Sequence, residues 1–165
     1  MREAIASALD ARGRLEGRVL DLYAGTGAMA FEMLSRGATE AVLVEKSRAV
    51  ARAIDKSARE LGIEDRVRVV IADLSSGGGA WLEAMRDPVD LVLADPPYAQ
   101  IAQVPRLLER LADGHLAPDA TIVVEHASKG EAIEPPIGFA EISRYRYGDT
   151  AVLLARYARC PDEDS

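Results

Sequence analysis

Asp95-Pro96-Pro97-Tyr98 carries the most chemistry in this chain. It follows directly on Leu91-Val-Leu-Ala94, an apolar run of the kind that forms a buried strand. The residue types suit one task, the activation of an exocyclic amine on a nucleic-acid base. Such an amine is a poor nucleophile, because its lone pair is delocalised into the ring. Two acceptors aimed at its hydrogens draw the nitrogen towards tetrahedral geometry and turn the lone pair outward. Asp95 offers one acceptor and the carbonyl of Pro96 the other. Prolines fix φ and carry no N–H, so Pro96 and Pro97 make the loop stiff. Tyr98 offers a ring face for an extruded base, worth ~1–3 kcal/mol by stacking. The competing reading is a rigid turn capped by Asp95. A reactive methyl donor needs mainly orientation from the protein, and no metal.

The second constellation is Asp21-Leu-Tyr-Ala-Gly-Thr-Gly-Ala-Met-Ala30. Gly25 and Gly27 let the backbone turn sharply and approach a ligand closely. The following helix points free amide groups at that ligand. Glu45 ends the next apolar run and can accept both hydroxyl hydrogens of a ribose. Gly25-x-Gly27-x-x-Ala30 also fits the fingerprint of nicotinamide and flavin proteins. Asp21 tips the balance between the two. An acid there repels a pyrophosphate but suits the cationic amino-acid end of S-adenosylmethionine. Asp73, at the end of a third apolar run, can accept from an adenine amino group or can cap the segment after it.

These residues need elements to position them. Residues 3–12 read as a helix, 18–22 as a strand and 27–36 as a helix closed by Gly37. Residues 41–45 form a second strand. A helix runs from an N-cap at Ser47 to Leu61 and stops at Gly62. Strands follow at 66–71, 89–94 and 121–125, with a short helix around Trp81 and a helix at 101–112 that Pro105 must open or bend. Strands alternating with helices predict a parallel sheet covered on both faces. Residues 140–147 and 150–157 are strand-like and separated only by Gly148-Asp149, too few residues for a crossover, so they form an antiparallel hairpin. Trp81 and Met85 read as core. Arg144 and Arg146 against Tyr145 and Tyr147 read as the two sides of an amphipathic strand. His126 reads as a polar strand-end residue.

The chain has 165 residues and reads as a single domain over 1–159, with a disordered acidic tail at 160–165. One cysteine, Cys160, excludes an internal disulfide and a Cys-based zinc site, and two histidines are too few for a His-rich metal site. No apolar run is long enough to span a membrane, and charge follows Met1, so a cytoplasmic location is expected. The net charge of −7 opposes generic polyanion binding. Arg12, Arg14, Arg18, Arg144 and Arg146 are either a local basic surface or solvated side chains.

Asp21 to Ala30, Leu34-Ser-Arg-Gly-Ala38, Val44-Glu45, Asp95-Pro-Pro-Tyr98 and Tyr147-Gly-Asp-Thr150 together resemble the bacterial RsmD-type methyltransferase family. The resemblance covers nearly the whole chain. It implies an α/β fold, the class I methyltransferase (Rossmann-like) doubly wound sheet, mostly parallel with an antiparallel C-terminal hairpin. It implies S-adenosylmethionine as cofactor and the N2 amine of a guanine in small-subunit ribosomal RNA as acceptor, with the RNA or the ribosomal particle as partner. By motif position it assigns cofactor binding to Asp21, Ala24, Gly25, Gly27, Glu45 and Asp73. It assigns catalysis to Asp95, Pro96, Pro97 and Tyr98. Members usually carry a basic stretch ahead of the helix that begins here at Met1, so either the start is truncated or RNA is gripped differently. The alternatives are an amine methylase of DNA or another RNA, a nicotinamide-dependent oxidoreductase, and a non-catalytic cofactor-binding partner.

Overall fold

The computed structural model describes residues 1–130 and 132–158. The expected tail at 160–165 lies outside them. Five strands run parallel because each is followed by enough chain to cross back over the sheet. They are β1 (Gly17–Leu22), β2 (Ala38–Glu45), β3 (Val67–Ile71), β4 (Val89–Ala94) and β5 (Leu116–Ala127). The hairpin of β6 (Phe139–Tyr147) and β7 (Thr150–Tyr157) turns at Gly148-Asp149 as its loop length requires. The spatial order is β3-β2-β1-β4-β5-β7-β6. β7 slots between β5 and β6 and runs antiparallel to both.

The helices split over the two faces. α1 (Arg2–Ala11), α2 (Ala28–Ser35) and α3 (Arg48–Glu60) bury Ile5, Leu9, Met33 and Ile54 against Val19, Leu43, Leu91, Leu93 and Val123. α4 (Ala80–Glu83) and α5 (Val104–Leu111) bury Trp81, Leu107, Leu108 and Leu111 against Leu20, Leu22, Val92, Ile122 and Val124. Side chains alternate across a strand, so consecutive apolar residues feed opposite faces. This is why the strands are apolar almost throughout.

Three elements differ from the sequence reading by more than one residue at an end. The helix expected at 101–112 is a 3₁₀ segment, Tyr98–Gln103, followed by α5, with Pro105 in the first turn. Proline lacks only an N–H that has no helical partner there. β5 begins at Leu116, ahead of the expected 121, and its pairing with β4 slips between Leu116 and Thr121. Asp119, within that slip, takes φ +60°. β2 also starts earlier, at Ala38.

Trp81 and Met85 are core, as expected. Tyr145 and Tyr147 stack on each other and pack against the α1–α2 side. Ser47 caps α3, its hydroxyl accepting from Val50 N–H at 3.3 Å. Ser47→Ala is expected to cost roughly 1 kcal/mol. The measurement is urea unfolding, with a lower midpoint and an unchanged slope; an unchanged midpoint would show that the cap contributes nothing.

Candidate active site

Four neighbouring strands end in a carboxylate on the same face of the sheet. β2 ends in Glu45, β4 in Ala94 with Asp95 next, β5 carries Glu125 near its end, and β1 carries Asp21 one residue from its end. The register sets their levels. Asp21 lies beside Leu43 and Leu93, whereas Glu45, Asp95 and Glu125 lie two residues further along their strands. Their shared face is the α1–α2–α3 side, since Leu43, Leu93 and Val123 two residues earlier all point there. Asp21 therefore sits a layer deeper, 4% exposed.

Burial and neighbouring acids perturb Asp21 and Glu125. Burial, and then Asp95, Glu125 and Glu45, push the Asp21 carboxyl up to about 8, against a hydrogen bond involving the Ala30 backbone. Burial and Asp95 push Glu125 up to about 7. Desolvation raises Asp95. Asp21 Oδ2 is buried without a hydrogen-bond partner. Among the described residues no ion pair neutralises Asp21, Asp95 or Glu125. An edge like this suits a ligand that brings positive charge and hydrogen-bond donors.

The glycine loop closes over this edge. Gly27 has φ +78°, and a Cβ there would meet Leu43 at 3.0 Å, so no larger residue fits without displacement. Gly25, at φ +57°, faces open space. Ala24 N–H donates to the Val44 carbonyl at 3.0 Å and Gly27 N–H to the Ala24 carbonyl at 2.9 Å. Glu45 spans two segments: Oε2 accepts from Gly25 N–H at 2.9 Å and Oε1 from Ser47 N–H at 3.0 Å. A carboxylate has about four lone-pair sites, so Glu45 keeps acceptor capacity for a ligand. Tyr23 adopts φ +59° and buries its hydroxyl without a partner beside the same space.

Two cavities meet here. One of about 490 Å³ is lined by Asp21, Ala24, Gly25, Asp95 and Glu125, and by Arg2 of α1. The other, about 220 Å³, is lined by Val44, Glu45, Asp73, Leu74, Asp95 and Pro97. Tyr23, Gly25 and Asp95 border both. All six residues expected at a cofactor thus gather with Asp95, although Gly27 supports the loop from beneath rather than lining a cavity. Asp73 also makes the cap that the sequence allowed. Its Oδ1 accepts from Ser75 N–H at 2.9 Å and Ser75 Oγ–H at 2.6 Å, which lowers its carboxyl pKa. Pro96 is buried, and among the described residues its carbonyl accepts no hydrogen bond from the protein. Tyr98 stands outside both cavities, 81% exposed.

Glu125 escaped the sequence reading. Its signal was available: Ile122-Val-Val-Glu125 ends an apolar run in an acid, as Val42-Leu-Val-Glu45 does. The arginines do not pool into a basic face. Arg14 pairs with Asp119, Arg18 with Glu40 and Asp87, and Arg144 with Glu141 and Glu134, while Arg12 donates to the Tyr145 hydroxyl. Among the described residues no group of three or more His, Cys, Asp or Glu could hold a metal. Among the described residues no helix is long and apolar enough to cross a membrane.

A raised carboxyl means that the folded chain binds more protons than the unfolded one between the two pKa values. Stability therefore falls as pH rises, here from about 4 to about 8 for Asp21. Asp21→Asn is expected to melt higher than the parent at pH 8, with the gap closing by pH 4. Thermal melts across that range check this, and a gap that widens towards low pH would refute it.

The model of the family described as Conserved hypothetical protein 95 matches residues 1–156. Ribosomal RNA small subunit methyltransferase D of Escherichia coli (strain K12) is 34% identical over 113 residues, 67% of this chain and 54% of the relative, so the chain spans about half the length of that relative. The E. coli yhhF protein superposes with a TM-score of 0.80 at 26% identity, covering 96% of this chain and 86% of that one. An RNA methyltransferase from Salinibacter ruber, solved with S-adenosyl-L-homocysteine, shares the fold at a TM-score of 0.68 and 16% identity, over 98% of this chain and 95% of that one. The architecture is that of the class I methyltransferases. With most of its length matched by the family model, this chain belongs to the Conserved hypothetical protein 95 family.

Proposed function

We propose that this chain methylates the exocyclic N2 amine of a guanine in small-subunit ribosomal RNA, using S-adenosylmethionine, in the cytoplasm. The observation that carries the reading is the meeting of the Asp95-Pro96-Pro97-Tyr98 loop with the glycine loop across one carboxylate-lined edge. When bound, S-adenosylmethionine supplies a methyl group on a sulfonium, with a second positive charge on its ammonium.

The residues present fit that group. Asp21 offers a buried, unpartnered acceptor of the kind an ammonium satisfies directly or through water. Glu45 offers its remaining lone pairs to ribose hydroxyls, and Ala24, Gly25 and Gly27 let the backbone lie close. Asp73 is exposed at the mouth of the smaller cavity, where it can accept from an adenine amino group. The same edge would repel a pyrophosphate, which counts against a nicotinamide-dependent oxidoreductase.

Asp95 and the Pro96 carbonyl supply the two acceptors for the amine hydrogens. With the lone pair so exposed, the nitrogen would take the methyl group as the bond from that carbon to the sulfonium sulfur breaks and leaves a neutral thioether, and the amine would then shed one proton, for which Asp95 is the neighbouring acceptor. The two prolines hold these acceptors in place before the base arrives. Tyr98 stands at the rim, where an extruded base would stack. The ribosomal substrate is supported by the small-subunit methyltransferase from E. coli among the relatives. A folded particle offers protein as well as RNA surface, which suits a chain with a net charge of −7.

Calorimetric titration is expected to show binding of S-adenosylmethionine and none of NAD; binding of NAD alone would overturn the reading. Asp95→Ala is expected to abolish methyl transfer to unmodified small ribosomal subunits at nearly unchanged cofactor affinity. Surviving transfer would remove Asp95 from the chemistry. Glu45→Ala is expected to weaken cofactor binding at least about tenfold, since it frees two backbone donors as well as losing a ligand contact. An unchanged affinity would move the ribose contact elsewhere.

A further inference from the structure

The amine chemistry employs Asp95 and the Pro96 carbonyl but leaves Glu125 without a task. Glu125 is placed for one. Ala94 pairs with Val124 at the end of the ladder, so Asp95 leaves β4 next to the strand position of Glu125. Leu93 and Val123 face the same side two residues earlier, so both acids point that way and both line the 490 Å³ cavity. Beneath them Asp21, 4% exposed, lines the same cavity and keeps a buried oxygen without a partner. Arg2 and the Met1 N-terminal ammonium are the cations among the described lining residues, and neither forms an ion pair with any of the three acids. The space is built for a ligand that donates hydrogen bonds at more than one point.

An amine held by Asp95 and the Pro96 carbonyl presents its ring neighbour to the acid beside Asp95. On guanine the atom next to the amine-bearing carbon can be N1, which carries a hydrogen. On adenine the corresponding nitrogen is N1 with a bare lone pair, and on cytosine it is N3 with a bare lone pair. An ionised carboxylate accepts and cannot donate. We propose that Glu125 accepts the N1–H of guanine beside the reacting amine, and so admits guanine while repelling the lone pairs of adenine and cytosine. The assignment rests on the base-amine reading above and names the residue that chooses the base.

The charge state of Glu125 tunes this choice. Asp95 from β4 and Asp21 from β1 face it within the cavity, with Glu45 of β2 further along the edge, Arg2 approaching from α1, and the Met1 N-terminal ammonium opposing the rise. On its β7 side the pairing partner is Val152, which is apolar. Burial and Asp95 raise the Glu125 carboxyl to about 7. Below that pH the protonated acid can donate to a bare ring nitrogen, and discrimination weakens.

The decisive probe is 2-aminopurine, which keeps the exocyclic 2-amine of guanine but has a lone pair at N1. The full chain would methylate unmodified small ribosomal subunits, and nucleoside mass spectrometry would map the N2-methylguanosine. Subunits would then be reconstituted around RNA carrying guanine or 2-aminopurine at that position. The parent chain is expected to prefer guanine by at least about tenfold, more strongly at pH 8 than at pH 6. Glu125→Gln, whose amide both accepts and donates, is expected to bring the ratio near one, independent of pH, with S-adenosylmethionine affinity within about twofold of the parent. An unchanged ratio in Glu125→Gln overturns the assignment. Loss of cofactor affinity with an unchanged ratio does so too, and puts Glu125 on the cofactor. Absence of any N2-methylguanosine from the parent chain withdraws the base-amine reading, and this assignment with it.

Discussion

The site depends on the in-register parallel pairing of β2, β1, β4 and β5. A strand shows alternate residues to alternate faces, so a slip of one position turns every side chain over. The register holds because Val19, Leu43, Leu91, Leu93 and Val123 interlock beneath α1, α2 and α3, and the residues between them fill the opposite core. Once those layers are packed, Asp21, Glu45, Asp95 and Glu125 have no other face to occupy. The apolar core thus fixes the position of the charged edge, with no direct bond between the acids.

That edge opposes the stability of the chain. Burial and neighbouring acids raise the Asp21 and Glu125 carboxyls, and the folded state holds protons there that the unfolded chain would release. The arrangement leaves Asp21 poised for a cationic ligand, whose arrival favours release of the proton that the buried acid holds. Glu45 connects this electrostatic feature to the backbone. By accepting from Gly25 and Ser47 it ties the glycine loop to the start of α3, so the loop is set before any ligand arrives.

The opposite arrangement holds for the arginines. Most of those that might have made a basic face are spent on acids or hydroxyls of this same chain, at Asp119, Glu40, Asp87, Glu141 and Tyr145. Recognition of a polyanion by bulk charge is therefore a poor description of this surface. The exposed ring of Tyr98 and the stiff loop behind it favour recognition of one extruded base at close range.

Much of this was legible in the residues alone, because the relevant signals are local. Glycines at two-residue spacing, prolines after a strand, a serine ahead of a helix and a two-residue gap between strand-like runs each constrain the backbone within a few positions. They placed Asp21, Glu45 and Asp95 at strand ends and required the terminal hairpin. Other features needed the tertiary structure. The hairpin's loop length could not say that β7 would lie between β5 and β6, since that depends on which strand edge remains open. The early start of β5 and the slip around Asp119 arise from pairing with β4, which no local pattern encodes. Glu125 read as an ordinary strand-end acid until the register set it beside Asp95. Single acids at the ends of strands follow from the order of residues, but their meeting on one face follows only from the packing of the sheet.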